Sequence, residues 1–137
     1  MTEQQTIEHI LKNYRSVAVV GLSPKTHRDS FGVARYMQAQ GWRIIPINPN
    51  ASEILGEKAY PTLTDAAREH RIELVDVFRN SFDVPPVVDE AIAVGAQAIW
   101  LQLGIHHDAA TAKARAAGLL VVENRCLMVD HRRTAVA

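Results

Sequence analysis

One cysteine, Cys126, stands alone among 137 residues, which leaves no partner for an internal disulfide and no Cys-based zinc site. An excess of either charge is missing too. Lys plus Arg and Asp plus Glu number 15 each, so the composition points to neither a nucleic acid nor an anionic membrane as partner. No apolar run approaches the roughly 18 residues of a membrane span. The opening "MTEQQTIEHILKNYRS" is polar and lacks the apolar centre of a signal peptide. Repeats, low-complexity tracts and interdomain linkers are absent as well. What is present is a 47% hydrophobic chain, enough for a sizeable core, read as one cytoplasmic domain over residues 1–137.

Short runs rich in Val and Ile alternate with Ala-rich helical stretches. The strands are expected at Val17–Leu22, Trp42–Asn48, Leu74–Phe78, Ala98–Leu103 and Leu119–Glu123. Each is apolar without strict alternation, which marks parallel strands covered on both faces. Helices are expected over Thr6–Tyr14, Phe31–Gln40 closed by Gly41, and about Thr64–His70 with Thr62 or Thr64 as N-cap. Another runs from "DVPPVV", with Asp83 as candidate cap and proline in its first turn, to Val94; a last one runs from Asp108 to Gly118. "EKAYP", Glu57–Pro61, is either a short edge strand or a turn, and "HRRTAVA" is left as a tail open to fraying. Alternation of this kind predicts an α/β fold: one doubly wound, Rossmann-like parallel sheet of five strands in the order 2-1-3-4-5, helices on both faces. Pro46, inside strand two, suits the edge place that this order gives it.

Ligands of such sheets bind beyond the carboxyl ends of the strands, where the winding reverses. That places a site between strands one and three, built from Gly21–Lys25 and Val77–Asn80, with the loops after Asn48 and Leu103 on either side. In "SVAVVGLSPKTHRDSFG", Gly21 permits a tight turn and Ser23 offers a hydroxyl and a backbone N–H. Lys25, Arg28 and Ser30 follow just before a helix N-terminus, a setting that favours a phosphate. The same cations would stand as solvated loop charges elsewhere; their place at the switch point decides for phosphate.

The loop does not fit a nicotinamide dinucleotide. The second and third glycine positions of G-x-G-x-x-G hold Ser23 and Thr26, and strand two ends in "INPN" where a ribose-binding carboxylate belongs. Asn48 can hydrogen-bond either a base edge or a phosphate. A G-x-x-x-x-G-K-S/T loop for ATP is also missing.

Five segments in order, "GLSPKTHRDSFGVARYMQAQGWRIIPINPN", "EILGEKAYPTL", "DVFRNSFDVPPVVDEAI", "WLQLGI" and "VVENRCLMVDHRR", resemble the small stand-alone coenzyme A-binding proteins. These are similar to the N-terminal domain of succinyl-CoA synthetase alpha subunits, and the likeness runs from Ser16 to Arg133. The resemblance implies CoA or an acyl-CoA as ligand. Gly21, Leu22, Ser23, Pro24 and Lys25 would wrap its phosphates, with Arg28 adding charge. Asn48 and Pro49 would lie near the adenosine end. Val77, Phe78 and Arg79 would line the crevice, and Gln102, Leu103 and Gly104 would border the pantetheine path. Lys25, Arg28 and Arg79 match a ligand with a pyrophosphate and a 3′-phosphate. The synthetases carry their phosphorylated histidine in a second domain that has no expected counterpart here, so binding transfers and that activity does not.

The remaining candidates have plain readings beside the functional ones. His106 and His107 could serve as phosphoryl acceptor or general base, but such a pair ahead of a helix is ordinarily loop. The other histidines lack metal-binding spacing. Cys126 is expected as a small buried residue, the alternative being a thiol near the CoA sulfur. Asp76, mid-strand, either ties loops together at the sheet edge or faces solvent. Trp42 and Trp100 are read as core residues beginning strands two and four, at the end away from the site. The expected function is a CoA-binding carrier, sensor or regulator rather than an enzyme. The alternatives are a small CoA-dependent enzyme, or the CoA half of a split acyl-CoA ligase with a separate ligase or acyltransferase subunit.

Overall fold

The computed structural model describes residues 1–135. Along the chain it contains α1 (Glu3–Asn13), β1 (Ser16–Val20), α2 (Asp29–Ala39), β2 (Arg43–Ile47), a hairpin of β3 (Glu53–Ile54) and β4 (Glu57–Lys58), and α3 (Leu63–Ala67). There follow β5 (Leu74–Val77), a 3-10 turn at Ser81–Asp83, α4 (Val84–Ala93), β6 (Ala98–Leu101), α5 (Asp108–Ala116), β7 (Leu120–Val122) and α6 (Leu127–Ala135). The long strands form one parallel sheet in the order β2-β1-β5-β6-β7. With the two short hairpin strands set aside, this is the expected order 2-1-3-4-5.

Apolar runs are required because each strand feeds two cores. Ala18, Val20, Val75, Val77, Ile99 and Leu101 point to one face, where Leu63, Ala66, Val84, Val88 and Ala114 of α3, α4 and α5 cover them. Val17, Val19, Leu74, Ala98 and Trp100 point to the other, under Ile7, Ile10, Val33, Met37 and Leu127 of α1, α2 and α6. Removing about 25 cal/mol of apolar surface cost per Å² on both faces is what holds the sheet between its helices.

Helix ends follow local chemistry. Thr2 and Gln5 form a reciprocal capping box on α1. Thr62 caps α3 by accepting from the Asp65 N–H, whereas the Thr64 hydroxyl donates to Glu90 at 2.8 Å. Asp83 occupies the N-cap position of α4 but makes no side-chain cap hydrogen bond, and prolines fill the first turn as expected. Pro46 lies on the edge strand. Its carbonyl accepts from the Tyr60 N–H, and the Tyr60 carbonyl accepts from the Asn48 N–H, so the Glu57–Pro61 stretch supplies both a hairpin strand and a cover for the edge.

Several expectations are corrected. The segment after the last strand is helical: α6 carries His131 through Ala135, and only Val136 and Ala137 of the expected tail lie outside the described residues. Trp100 is the third residue of β6, not its first, and its indole Nε1 donates to the Arg125 carbonyl at 2.8 Å beyond the carboxyl end of β7. It is core, as is Trp42. Asp76 neither ties loops nor meets solvent. It sits on the central strand β5 between Val19 and Trp100, with 0% exposure and no hydrogen-bond partner for either carboxylate oxygen. Burial without a partner raises its pKa well above the ordinary 3.8, because ionising it there has no compensating interaction. No described helix is long and apolar enough to cross a membrane.

Candidate functional site

Beyond Val20 the chain leaves the sheet at Gly21, whose N–H donates to the Ile47 carbonyl of β2 while the Phe78 N–H donates to the Val20 carbonyl. Gly21 has φ +87°, and a Cβ there would collide with the Phe78 carbonyl oxygen. The loop after β1 is therefore pressed against the end of β5, and only glycine permits the approach.

Past that turn the loop bonds to itself. The Ser23 N–H donates to Ser30 Oγ at 3.0 Å, the Lys25 N–H to Ser23 Oγ at 3.1 Å, and the Arg28 N–H to the Lys25 carbonyl at 3.1 Å. The Ser23 N–H offered to a ligand in the sequence reading is thus already engaged; its hydroxyl retains a proton to donate. Asn48 is likewise committed. Its Nδ2 donates to the Leu22 carbonyl at 2.8 Å and its Oδ1 accepts from the Asn50 N–H at 2.7 Å, so it braces the loop after β1 from the end of β2.

Arg28 is the N-cap residue of α2 and makes no side-chain cap hydrogen bond. The first N–H groups of α2 therefore point out of the helix without an intrahelical acceptor. They open onto a crevice of about 650 Å³ at the carboxyl ends of β1 and β5. Lys25, Arg28 and Arg79 stand on its wall with Gly21, Ser23 and Ser30, and Asp29 is the one carboxylate among its lining residues. The far side is made by Phe78, Leu103, Gly104 and Ile105, with Asn80 and Ser81 completing the rim. Among the described residues, none of the three cations forms an ion pair. A helix N-terminus flanked by unpaired cations attracts an anionic group, phosphate above all.

Next to it lies a second cavity of about 660 Å³ that shares Arg28, Asp29, Phe78, Leu103 and Ile105. Its other walls come from α2, through Val33 and Tyr36, and from the segment after β7, through Cys126, Met128 and Arg132. Gln102, just past β6, lines it and is buried. The loop carrying Cys126 is fixed by Arg125, which grips the buried Asp130 carboxylate with two hydrogen bonds of 2.8 and 2.7 Å. The Asn124 side chain accepts from the Gly104 N–H at 2.7 Å and ties the loops after β6 and β7 together.

The residues named from sequence therefore divide. Gly21, Ser23, Lys25, Arg28, Ser30, Phe78, Arg79, Leu103 and Gly104 meet at the first cavity, and Gln102 at the second. Leu22 and Val77 are buried core residues behind the wall. Pro24 is exposed, and neither it nor Asn48 nor Pro49 lines either cavity. Cys126 is not the fully buried residue expected: it is half-buried and opens onto the second cavity. His107 is a structural residue. It is the N-cap of α5, its Nδ1 accepting from the Ala110 N–H at 3.1 Å, which leaves its proton on Nε2. His106 is exposed, its N–H bonded to Ser81 Oγ, and it lines neither cavity. Tyr36 lies on the expected helix α2 but was not named as a site residue, and Met128 and Arg132 were missed because the helix bearing them was not expected. Among the described residues no cluster of three His, Cys, Asp or Glu could hold a metal ion.

A family model described as a CoA binding domain matches residues 15–132. The uncharacterized protein YneT of Bacillus subtilis is 36% identical over 128 residues, covering 93% of each chain. An ADP-forming acetate–CoA ligase of Archaeoglobus fulgidus is 34% identical over 83 residues, which are 59% of this chain and 12% of the ligase. A hypothetical protein from Pyrococcus horikoshii superposes with a TM-score of 0.92 at 38% identity, covering 98% of this chain and 93% of that one.

Proposed function

The chain belongs to the CoA binding domain family, and from that membership we propose that it holds coenzyme A or an acyl-CoA reversibly in the crevice beyond β1 and β5. One observation carries the reading: Lys25, Arg28 and Arg79 line the same crevice as the uncapped N-terminus of α2. A pyrophosphate with a further 3′-phosphate supplies the anions that this arrangement calls for. A nicotinamide dinucleotide would want a carboxylate at the end of β2. Asn48 stands there instead, held by Leu22 and Asn50.

The role is that of a carrier, sensor or regulatory module, one nucleotide-binding unit acting in the cytoplasm, where a half-buried thiol such as Cys126 stays reduced. Binding without chemistry is preferred, since the His107 ring is occupied as a helix cap. A second reading, the CoA-binding part of a split acyl-CoA ligase with a separate catalytic subunit, is favoured by the similarity to a much longer acetate–CoA ligase.

The test is thermal denaturation with CoA, NAD, NADP and ATP at equal concentration. A ligand at a hundred times its Kd stabilises by about 2.7 kcal/mol, equivalent to several degrees in Tm. CoA is expected to give that shift and NAD none. A shift with NAD alone, or none with CoA, rejects the assignment.

A further inference from the structure

The second cavity is cationic as well as apolar. Arg28, Arg35 and Arg132 all line it, and Asp29 is the one carboxylate among its lining residues. The chain as a whole balances 15 basic against 15 acidic residues, so this is a local surplus. All three arginines are exposed, and among the described residues none forms an ion pair. The Arg35 Cζ lies 5.8 Å from the centre of the Phe31 ring, and the Arg132 Cζ 5.2 Å from that of Tyr36. A guanidinium stacked by its face in this way keeps its N–H edge for a carboxylate or a phosphate.

Between Arg28 and Arg35 the surface of α2 is bare. Gly32 lies inside the helix and lines the cavity, and a Cβ built there would have no heavy atom within 4 Å. Its backbone is not in the left-handed region that calls for glycine, and alanine would favour the helix more. A chain lying close along α2 is what a glycine here admits. Spacing then sets the kind of occupant. Arg28 and Arg35 are two helical turns apart, about 10 Å along α2, farther than one phosphate or carboxylate can bridge. Residues three apart in an extended polyproline-type segment fall on one face, about 9 Å apart. Acidic side chains at that spacing match the two arginines, and Tyr36 and Met128 of the same cavity offer apolar contact. A nucleic acid fits less well, because its bases need open aromatic faces to stack on. Arginines already lie over Phe31 and Tyr36.

We propose that the groove between α2 and α6 docks an extended acidic segment of a partner protein, its carboxylates on Arg28, Arg35 and Arg132 and its backbone against Gly32. The inference goes beyond the CoA reading and does not depend on it. The groove adjoins the crevice and shares Arg28, Phe78, Leu103 and Ile105 with it. A docked partner therefore sits beside whatever the crevice holds, the position needed to receive that ligand or to respond to it.

The probe is a fluorescein-labelled peptide, Asp-Leu-Pro-Asp-Leu-Pro-Asp, titrated with the full chain in the absence of CoA and followed by anisotropy. Its twin with asparagine at every aspartate is expected to bind at least about tenfold more weakly, through loss of charge-assisted hydrogen bonds. Arg35→Gln combined with Arg132→Gln is expected to weaken the acidic peptide by a similar factor and leave Tm unchanged. Gly32→Leu should keep the helix, since leucine is a good helix former, and should abolish binding by filling the bare strip. Lys25 lines the crevice but not the groove, so Lys25→Ala should leave peptide affinity within about twofold. Equal loss in Lys25→Ala and in the arginine variant means unspecific attraction and overturns the proposal. So does unchanged affinity in the arginine variant, or equal binding of the asparagine twin. A folded Gly32→Leu that still binds overturns the placement along α2; should it fail to fold, the arginine variant decides alone. A single-stranded oligonucleotide of equal charge that binds as tightly overturns the choice of a peptide. Sedimentation showing the free chain already paired through this groove, with Arg35→Gln releasing the pair, overturns the choice of a separate partner. Because the titration contains no CoA, its failure leaves the CoA reading standing, and failure of the CoA shift leaves the docking measurable.

Discussion

Gly21 lies so close to the Phe78 carbonyl that a Cβ at position 21 would overlap its oxygen, and the backbone there has φ +87°. The same two residues join the loop after β1 to the end of β5, the two halves of the crevice. Gly21→Ala must therefore either push the loop away from β5 or strain the turn. Left-handed backbone and overpacking together cost about 2–5 kcal/mol. Urea denaturation is expected to show that loss as a lower midpoint with an unchanged slope. An alanine variant as stable as the parent would mean the loop can move without cost.

Lys25 carries no such structural duty. It is exposed, and its side chain makes no hydrogen bond or ion pair among the described residues. A charge-assisted hydrogen bond to phosphate is worth about 1.5–3 kcal/mol, so Lys25→Ala should weaken CoA binding on the order of tenfold to a hundredfold with Tm of the free chain unchanged. The deficit should shrink as salt is raised, because screening weakens the parent's own contact. Titration calorimetry at two salt concentrations reads both effects; unaltered affinity would remove this loop as the phosphate site.

The sheet order and the convergence of Gly21, Lys25, Arg79 and Leu103 were legible because they rest on covalent order. Apolar runs fix the strands, alternation fixes the winding, and the winding fixes which loops meet. Side-chain commitments were not legible. Asn48 looks the same in sequence whether it reads a base or, as here, holds the Leu22 carbonyl. The last helix was hidden for a related reason. Its hold on the molecule comes from Leu127 and from Asp130, whose partner Arg125 lies before the helix and leaves no periodic signal. With that helix unseen, the second cavity and the exposure of Cys126 were out of reach.

His107 separates a structural role from a catalytic one. Its Nδ1 accepts from the Ala110 N–H as the N-cap of α5. Replacing a cap by alanine costs about 0.5–2 kcal/mol. His107→Ala is expected to lower stability by that amount and leave CoA affinity within twofold of the parent, about 0.4 kcal/mol. His107→Asn or His107→Asp should restore the stability, since either side chain can accept the same N–H. Loss of CoA binding in the alanine variant, unrepaired by asparagine, would point to a ligand contact that the cap does not explain.

Asp76 makes the sharpest demand on pH. Its carboxyl is fully buried between Val19 and Trp100 with neither oxygen hydrogen-bonded, and desolvation raises its pKa well above 3.8. In the unfolded chain the group ionises at its ordinary pKa; in the folded chain it keeps its proton to a higher pH. Between those two values the folded state binds the extra proton, so this group's contribution to stability is fully present below the unfolded pKa and is lost as pH rises toward the folded one. Asp76→Asn removes the ionisation and keeps the shape. The stability difference, variant minus parent, should therefore grow with pH from about 4 upward, by no more than about 1.4 kcal/mol per pH unit, and level off once the folded carboxyl has ionised. Other carboxylates titrate equally in both proteins and cancel in the difference. Denaturation of the pair at several pH values reads that curve directly. A flat difference would mean that the carboxyl has an acceptor or donor at hand after all, and that burial alone does not govern it.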